Sequence, residues 1–263
     1  MQGIADYEFI RPLGSGNHGY FFLARRPRRL PLDVEFVAVK VLHAESSDVA
    51  FRRATRELAA FAAVRCPHLV TPIDAGQQDG VFFYSMEYLP AGSLADPAEP
   101  YTTVQGLRAL AAAARAAAAL HAAGIAHRDI KPGNVLLHPD GGRLSDLGLS
   151  HVFTAGMTVT GMGALDAIEY VDPALLLGGT PGPAGDVWSL GVVLHRVTSG
   201  TGVYGDLPES DGLLALRRVL STTPRVSDSL PGPVADLVRQ CLGPAHQRPD
   251  AATLADRIAG IQP

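Results

Sequence analysis

The run His127-Arg128-Asp129-Ile130-Lys131-Pro132-Gly133-Asn134, with Asp146-Leu147-Gly148 beyond a short apolar stretch, holds the most concentrated chemistry in this sequence. A carboxylate at 129 can take a proton from a hydroxyl, and an ammonium at 131 can lie against an anion in transfer. Asn134 and Asp146 add the hard oxygen donors that magnesium prefers. Phosphoryl transfer asks for such a set. It needs little covalent chemistry from a protein, which must hold metal against phosphates, aim an acceptor and neutralise spreading charge.

Elements upstream must then bring a phosphate donor to these groups. Gly14-Ser15-Gly16-Asn17-His18-Gly19 is a G-x-G-x-x-G loop, a pattern that alone fits a dinucleotide turn as well as a phosphate lid. A dinucleotide turn runs into a helix, whereas Tyr20-Phe21-Phe22-Leu23-Ala24 is aromatic and apolar and reads as a strand. The loop therefore joins a β-hairpin. Val37-Ala38-Val39-Lys40 is a second short strand, and a lysine at such an end is ordinarily just solvated. Residues 49–64 place Phe51, Leu58, Phe61 and Ala62 at helical spacing and include Glu57 among Arg52, Arg53 and Arg56. A glutamate in that company is commonly a surface ion pair contributing under about 1 kcal/mol.

The order of these segments decides between the readings. Glycine loop, Val-Ala-Val-Lys, helical Glu, His-Arg-Asp-x-x-x-x-Asn and Asp-x-Gly together resemble the eukaryotic-type (Hanks-type) bacterial serine/threonine protein kinase family. The resemblance implies an α+β, bilobal protein-kinase-like fold with a small β-rich N-lobe carrying one main helix and a larger, mainly helical C-lobe. The lobes would be residues 1–86 and 93–263, joined by a hinge at 87–92. It further implies Asp129 as the base, Lys131 against the transferred phosphate, Lys40 on the α- and β-phosphates with Glu57 orienting it, and Asn134 and Asp146 as ligands of Mg2+, with Mn2+ as a substitute. ATP would lie among Gly14, Ser15, Gly16, Gly19, Ala38, Met86, Glu87, Leu89, Ser93 and Leu136. The expected partners are a protein substrate and, for autophosphorylation in trans, a second copy of the chain.

Downstream landmarks agree in part. Asp186-Val187-Trp188-Ser189-Leu190-Gly191 resembles the family's central helix, whose aspartate bonds the backbone near His127 and Arg128; an N-cap is the plainer role for such an Asp. Arg248-Pro249 resembles the late arginine motif. Before Pro173, however, the chain reads Asp166-Ala167-Ile168-Glu169-Tyr170-Val171-Asp172-Pro173-Ala174 where the family has Gly-Thr-x-x-Tyr-x-Ala-Pro-Glu. Ala167 removes a hydroxyl that bridges the catalytic Asp and Lys in relatives. Ala174 removes the usual partner of Arg248, leaving that cation to find Glu169, Asp172 or water. Phe21 replaces the family's valine over the adenine. Arg128 precedes the base, where relatives often hold a phosphate, and Thr154, Thr158 and Thr160 are the available acceptors.

Composition narrows the partners. A formal net charge of −4 and a pI near 6.1 leave no broad basic field for nucleic acid. The local cluster Arg25-Arg26-Pro27-Arg28-Arg29 reads as a solvated loop before a docking patch. Cys66 and Cys241 lack metal-ligand spacing, so two free thiols and a cytoplasmic location are expected. The apolar run Ala109 to Ala123 is broken by Arg115 and His121 and reads as a buried helix, not a membrane span. His121, His138, His151 and His195 show no ligand spacing. A nucleotide-binding pseudokinase, a small-molecule phosphotransferase of related fold and a pure interaction domain remain the alternatives at this level.

Overall fold

The computed structural model describes residues 2–16, 19–45, 48–146, 165–208 and 211–261. They fall into two compact units, one within Met1–Ala63 and Val70–Tyr88, the other within Val64–Leu69, Leu89–Gly148 and Leu165–Pro263.

In the first unit six strands form one antiparallel sheet: β1 (Gly3–Ile4), β2 (Tyr7–Gly16), β3 (Gly19–Arg25), β4 (Phe36–Glu45), β5 (Pro72–Gln78) and β6 (Val81–Met86), in the order β1-β2-β3-β4-β6-β5. Alternation along central β4 assigns its faces. Val37, Val39 and Val41 enter a cluster with Ile4, Tyr7, Ala24 and Phe83, so Ala38, Lys40 and Leu42 lie on the opposite face. Helix α1 (Asp48–Ala63) covers that second face. Ala54, Leu58 and Phe61 are buried along one side of it, and Phe51 meets Phe82 of β6 edge-on at 5.7 Å.

Polar groups tie the N-terminal strands to this sheet. The buried Tyr7 hydroxyl donates to Asp74 at 2.7 Å and lies 2.8 Å from Ser85, while Arg29 binds both Asp74 and Asp6. Burial pushes the Tyr7 phenol well above its ordinary value, so the hydroxyl keeps its proton and its donor role. Two other arginines of the basic cluster are also engaged. Arg25 pairs with Glu35 at 2.9 Å and Arg26 donates to the Val34 carbonyl at 2.7 Å, as a charge-matched loop requires.

The second unit contains α2 (Thr103–Ala122), the hairpin β7 (Val135–His138) and β8 (Gly141–Leu144), α3 (Pro173–Leu176), α4 (Pro183–Ser199), α5 (Gly212–Ser221), α6 (Gly232–Cys241) and α7 (Ala251–Ala259). Helix α2 begins in a reciprocal capping box between Thr102 and Gln105. Its alanines, from Ala109 to Ala117, let α4, α7 and β8 approach closely; a Cβ on Gly142 would stand 2.8 Å from the Ala109 Cα. Among the described residues no helix is long and apolar enough to cross a membrane. Cys66 and Cys241 are both free thiols.

His195 closes the far end of α4. The backbone N–H of Ser227 donates to its Nε2 at 2.9 Å, so Nδ1 carries the proton and donates to the Thr201 carbonyl at 3.0 Å. The bond at Nε2 needs the neutral ring, and burial lowers the ring's pKa. Because the folded value lies below the unfolded one, the stability held here is full above about pH 6.5 and is lost as pH falls below it. Melting temperature is therefore expected to fall between about pH 7.5 and 5.5. In His195→Gln the neutral-pH value should be lower and the fall shallower, as calorimetry at the two pH values would record.

Candidate active site

A sharp backbone bend fixes the geometry of the His127–Asn134 segment. Arg128 has φ of 69°, a left-handed conformation that a residue with a Cβ adopts at some cost. Asp186, in the first turn of α4 and 1% exposed, holds the bend: its carboxylate accepts the His127 N–H at 2.7 Å and the Arg128 N–H at 2.8 Å. His121 Nε2, from the last turn of α2, reaches the same carboxylate at 2.7 Å. Gly182 caps the helix, so Asp186 is not its N-cap and is directed to the loop and to His121.

His127 is fully buried, with Nε2 3.0 Å from the Ser145 carbonyl and Nδ1 accepting from the Asp129 N–H at 3.4 Å. Burial lowers its pKa against the opposing pull of Asp186, Asp129 and Asp146, so the ring is neutral and donates through Nε2. Its neighbour Asp129 is oriented from within the segment. Oδ2 lies 3.1 Å from Lys131 Nζ and accepts from Asn134 Nδ2 at 3.0 Å, and the same amide donates to the Asp129 carbonyl at 2.7 Å. Among the described residues Oδ1 accepts no hydrogen bond. A carboxylate fixed through one oxygen and available at the other suits a base that must meet a hydroxyl.

The hairpin β7–β8 places the two expected metal ligands. Val135 pairs with Leu144, so Asn134 and Ser145 flank its open end; the Ser145 N–H donates to the Asn134 carbonyl at 2.9 Å, and its hydroxyl reaches the same oxygen at 3.2 Å. Asp146 follows directly, 9% exposed and with φ of 62°. Ser93 and Leu136 meet in a backbone bridge beside this hairpin. The Ser93 hydroxyl accepts from the Asp96 N–H at 3.1 Å, and Leu89 is buried in the same unit.

The first unit gathers the remaining expected residues. Lys40, 5% exposed, stands opposite Phe21 on β3 and Tyr84 on β6, and Ala38 stands opposite Met86. Lys40 Nζ lies 5.0 Å from the centroid of the Phe21 ring. Glu57 binds Arg53 one turn back along α1 at 3.3 Å; its pairing with Lys40 stays an expectation. Gly14 needs its φ of 150°, and a Cβ on Gly19 would collide with the Val41 carbonyl at 2.2 Å. Ser15 pairs with Tyr20 and Gly16 with Gly19 across the loop, while the Glu87 N–H donates to the Thr71 carbonyl at 3.2 Å. Leu147, Gly148, Thr154, Thr158 and Thr160 lie outside the described residues, as does the Ala167 side chain.

Arg248 finds its partner in Asp172. The two side chains, 5% and 7% exposed, form an ion pair, and Arg248 also donates to the carbonyls of Ala184 at 2.8 Å and Gly243 at 2.9 Å and lies over Trp188. The other Asp172 oxygen accepts the Ala174 N–H at 3.0 Å and caps α3. An Asp immediately before Pro173 is a helix-start signal that pointed to this role. Glu169, the other candidate acceptor, binds Arg196 at 2.7 Å and the Val203 N–H at 2.9 Å. Tyr170, Val171 and Leu175 then line a shallow concavity that also touches Arg128, Asp129 and Ile130.

Residues 7–256 match the family described as the protein kinase domain. The chain is 32% identical to a probable serine/threonine-protein kinase, PkwA, of Thermomonospora curvata, over 98% of this chain and 34% of that protein. It is 34% identical to the serine/threonine-protein kinase PknJ of Mycobacterium tuberculosis, over 87% of this chain and 40% of that protein, and 33% identical to PknA of the same species, over 86% and 55%. It thus spans about a third to two fifths of the length of the first two. The crystal structure of the Mycobacterium tuberculosis PknI kinase domain matches with a TM-score of 0.71 at 21% identity, over 98% of this chain and 97% of that one, which establishes the bilobal kinase fold.

Two substitutions test the supports of the site. Asp186→Asn replaces an acceptor of three bonds by an amide that cannot accept them all, and should lower unfolding free energy by about 2 kcal/mol or more in denaturant titration. Asp172→Ala leaves a buried guanidinium without its counter-charge and should cost about 3 kcal/mol in the same measurement.

Proposed function

This chain belongs to the protein kinase domain family, and from that premise we propose that it transfers the γ-phosphate of ATP to serine or threonine hydroxyls of proteins, its own included. The observation that carries the proposal is the Asp129 carboxylate, fixed through Oδ2 by Lys131 and Asn134 on a loop that Asp186 holds in a left-handed bend. Asp129 accepts the hydroxyl proton as the bond to phosphorus forms. Lys131, 3.1 Å from that carboxylate, neutralises charge on the phosphoryl oxygens in transfer. The concavity bordered by Tyr170, Val171 and Leu175 receives the acceptor side chain next to this base.

Asn134 and Asp146 fit a magnesium ion by donor type, being hard oxygen ligands at neighbouring ends of one hairpin. These two residues would hold the ion, which would supply positive charge to offset that of the phosphates. In the first unit Lys40 and the hairpin of β2 and β3 serve the donor's phosphates, with Ala38 and Met86 against its base. An ATP donor and two free thiols agree with a cytoplasmic setting. The change at 174 does not favour a merely nucleotide-binding role, since Asp172 restores the counter-charge of Arg248.

Incubation of the pure chain with radiolabelled ATP and magnesium, followed by mapping of the label, tests the reading. Label on serine or threonine is expected, and its absence with intact nucleotide binding would favour the pseudokinase. Asp146→Asn should reduce transfer at least about a hundredfold, a barrier increase of roughly 2.7 kcal/mol. Lys40→Met should abolish activity with a melting temperature close to the parent's; a collapsed fold instead would make Lys40 structural.

A further inference from the structure

The pairing of Lys40 with Phe21 gives this chain a feature of its own. Strands β3 and β4 run antiparallel with Phe21 directly opposite Lys40, so the two side chains leave the sheet on one face. The flanking pairs on that face are Gly19 with Leu42 and Leu23 with Ala38. Gly19 and Ala38 are small, which leaves room for a phenyl ring beside the ammonium. Lys40 Nζ lies 5.0 Å from the ring centroid, within the range where the negative face of an aromatic ring attracts a cation. At 5% exposure the ammonium has little access to water, so the attraction is weakly screened. Glu57, meanwhile, shares its charge with Arg53 on its own helix.

We infer that Phe21 is a positioning residue for Lys40: its π face, not merely its bulk, fixes where the ammonium meets the phosphates of the donor. Phe21 does not touch the reacting atoms and acts through the lysine. The activity readout of this inference rests on the kinase reading; the contact itself does not. A space-filling role would be served equally by leucine. A π role demands graded loss as electron density is withdrawn from a ring of nearly constant size.

The test therefore replaces Phe21 in the full chain by phenylalanines carrying one, two and three ring fluorines, and by Leu and Tyr. Initial rates are measured against ATP concentration with magnesium and myelin basic protein as acceptor. Efficiency toward ATP should fall stepwise with fluorination, reaching about a tenfold loss in the trifluoro and Phe21→Leu proteins. Phe21→Tyr should stay near the parent, and the KM for the acceptor protein and the melting temperature should hold throughout. Separately, proton spectra of lysine-labelled parent protein without nucleotide should show the Lys40 side-chain methylenes shifted upfield by the ring current, with the shift gone in Phe21→Leu. Parent-like efficiency in the trifluoro and leucine proteins, or unshifted methylenes in the parent, would overturn the inference. Should the parent transfer no phosphate, the kinase reading fails instead; calorimetric titration with magnesium-ATP then replaces the rate measurement, and affinity must follow the same order for the inference to stand.

Discussion

One carboxylate, on Asp186, organises the second unit. It is nearly sealed from water, yet it takes two backbone N–H groups from the bend at His127 and Arg128 and a ring nitrogen from His121. A buried charge is costly unless hydrogen bonds surround it, and here they come from the loop that carries the proposed base. The exchange is mutual: the carboxylate stabilises a strained backbone, and the strained backbone aims donors at the carboxylate. Because Asp186 stands in the first turn of α4, whose body is packed against α2 and α6, the bend inherits the rigidity of the helical core.

The residues that face one another within a single element were the most legible. The hairpin around the glycine loop, the buried alanine helix and the helical face of Phe51, Leu58 and Phe61 all followed from periodicity and strand-forming composition, which are local. The grouping of Lys131 and Asn134 on Asp129 was legible too, since a few residues of sequence enforce it. His121 was not. Its role depends on the last turn of α2 lying beside the first turn of α4, a packing fact with no local signature. Asp186 read equally well as a helix cap, and only the position of Gly182 settles its orientation toward the loop.

The segment before Pro173 shows how a departure from a family pattern can leave the physics intact. Arg248 is buried and cannot remain without an anion, so the loss of a carboxylate at 174 must be met by another within reach. Asp172 meets it while also capping α3. Glu169, which could have competed, is engaged by Arg196 and by the Val203 N–H, and Gly202 has no Cβ that would push it away. The pairing of these two anions with two cations was open from sequence because Arg248 had more than one carboxylate in prospect.

The hairpin of β7 and β8 acts as a ruler. Val135 and Leu144 pair at its open end, so the spatial interval between Asn134 and Asp146 is set by strand pairing and is independent of what happens at Asp140. Lengthening the tip would leave that interval untouched. Inserting a single residue into either strand would instead turn every later side chain to the other face. Heritable length variation in this stretch should accordingly be free at the turn and nearly forbidden in the four-residue strands, however far the rest of the chain drifts.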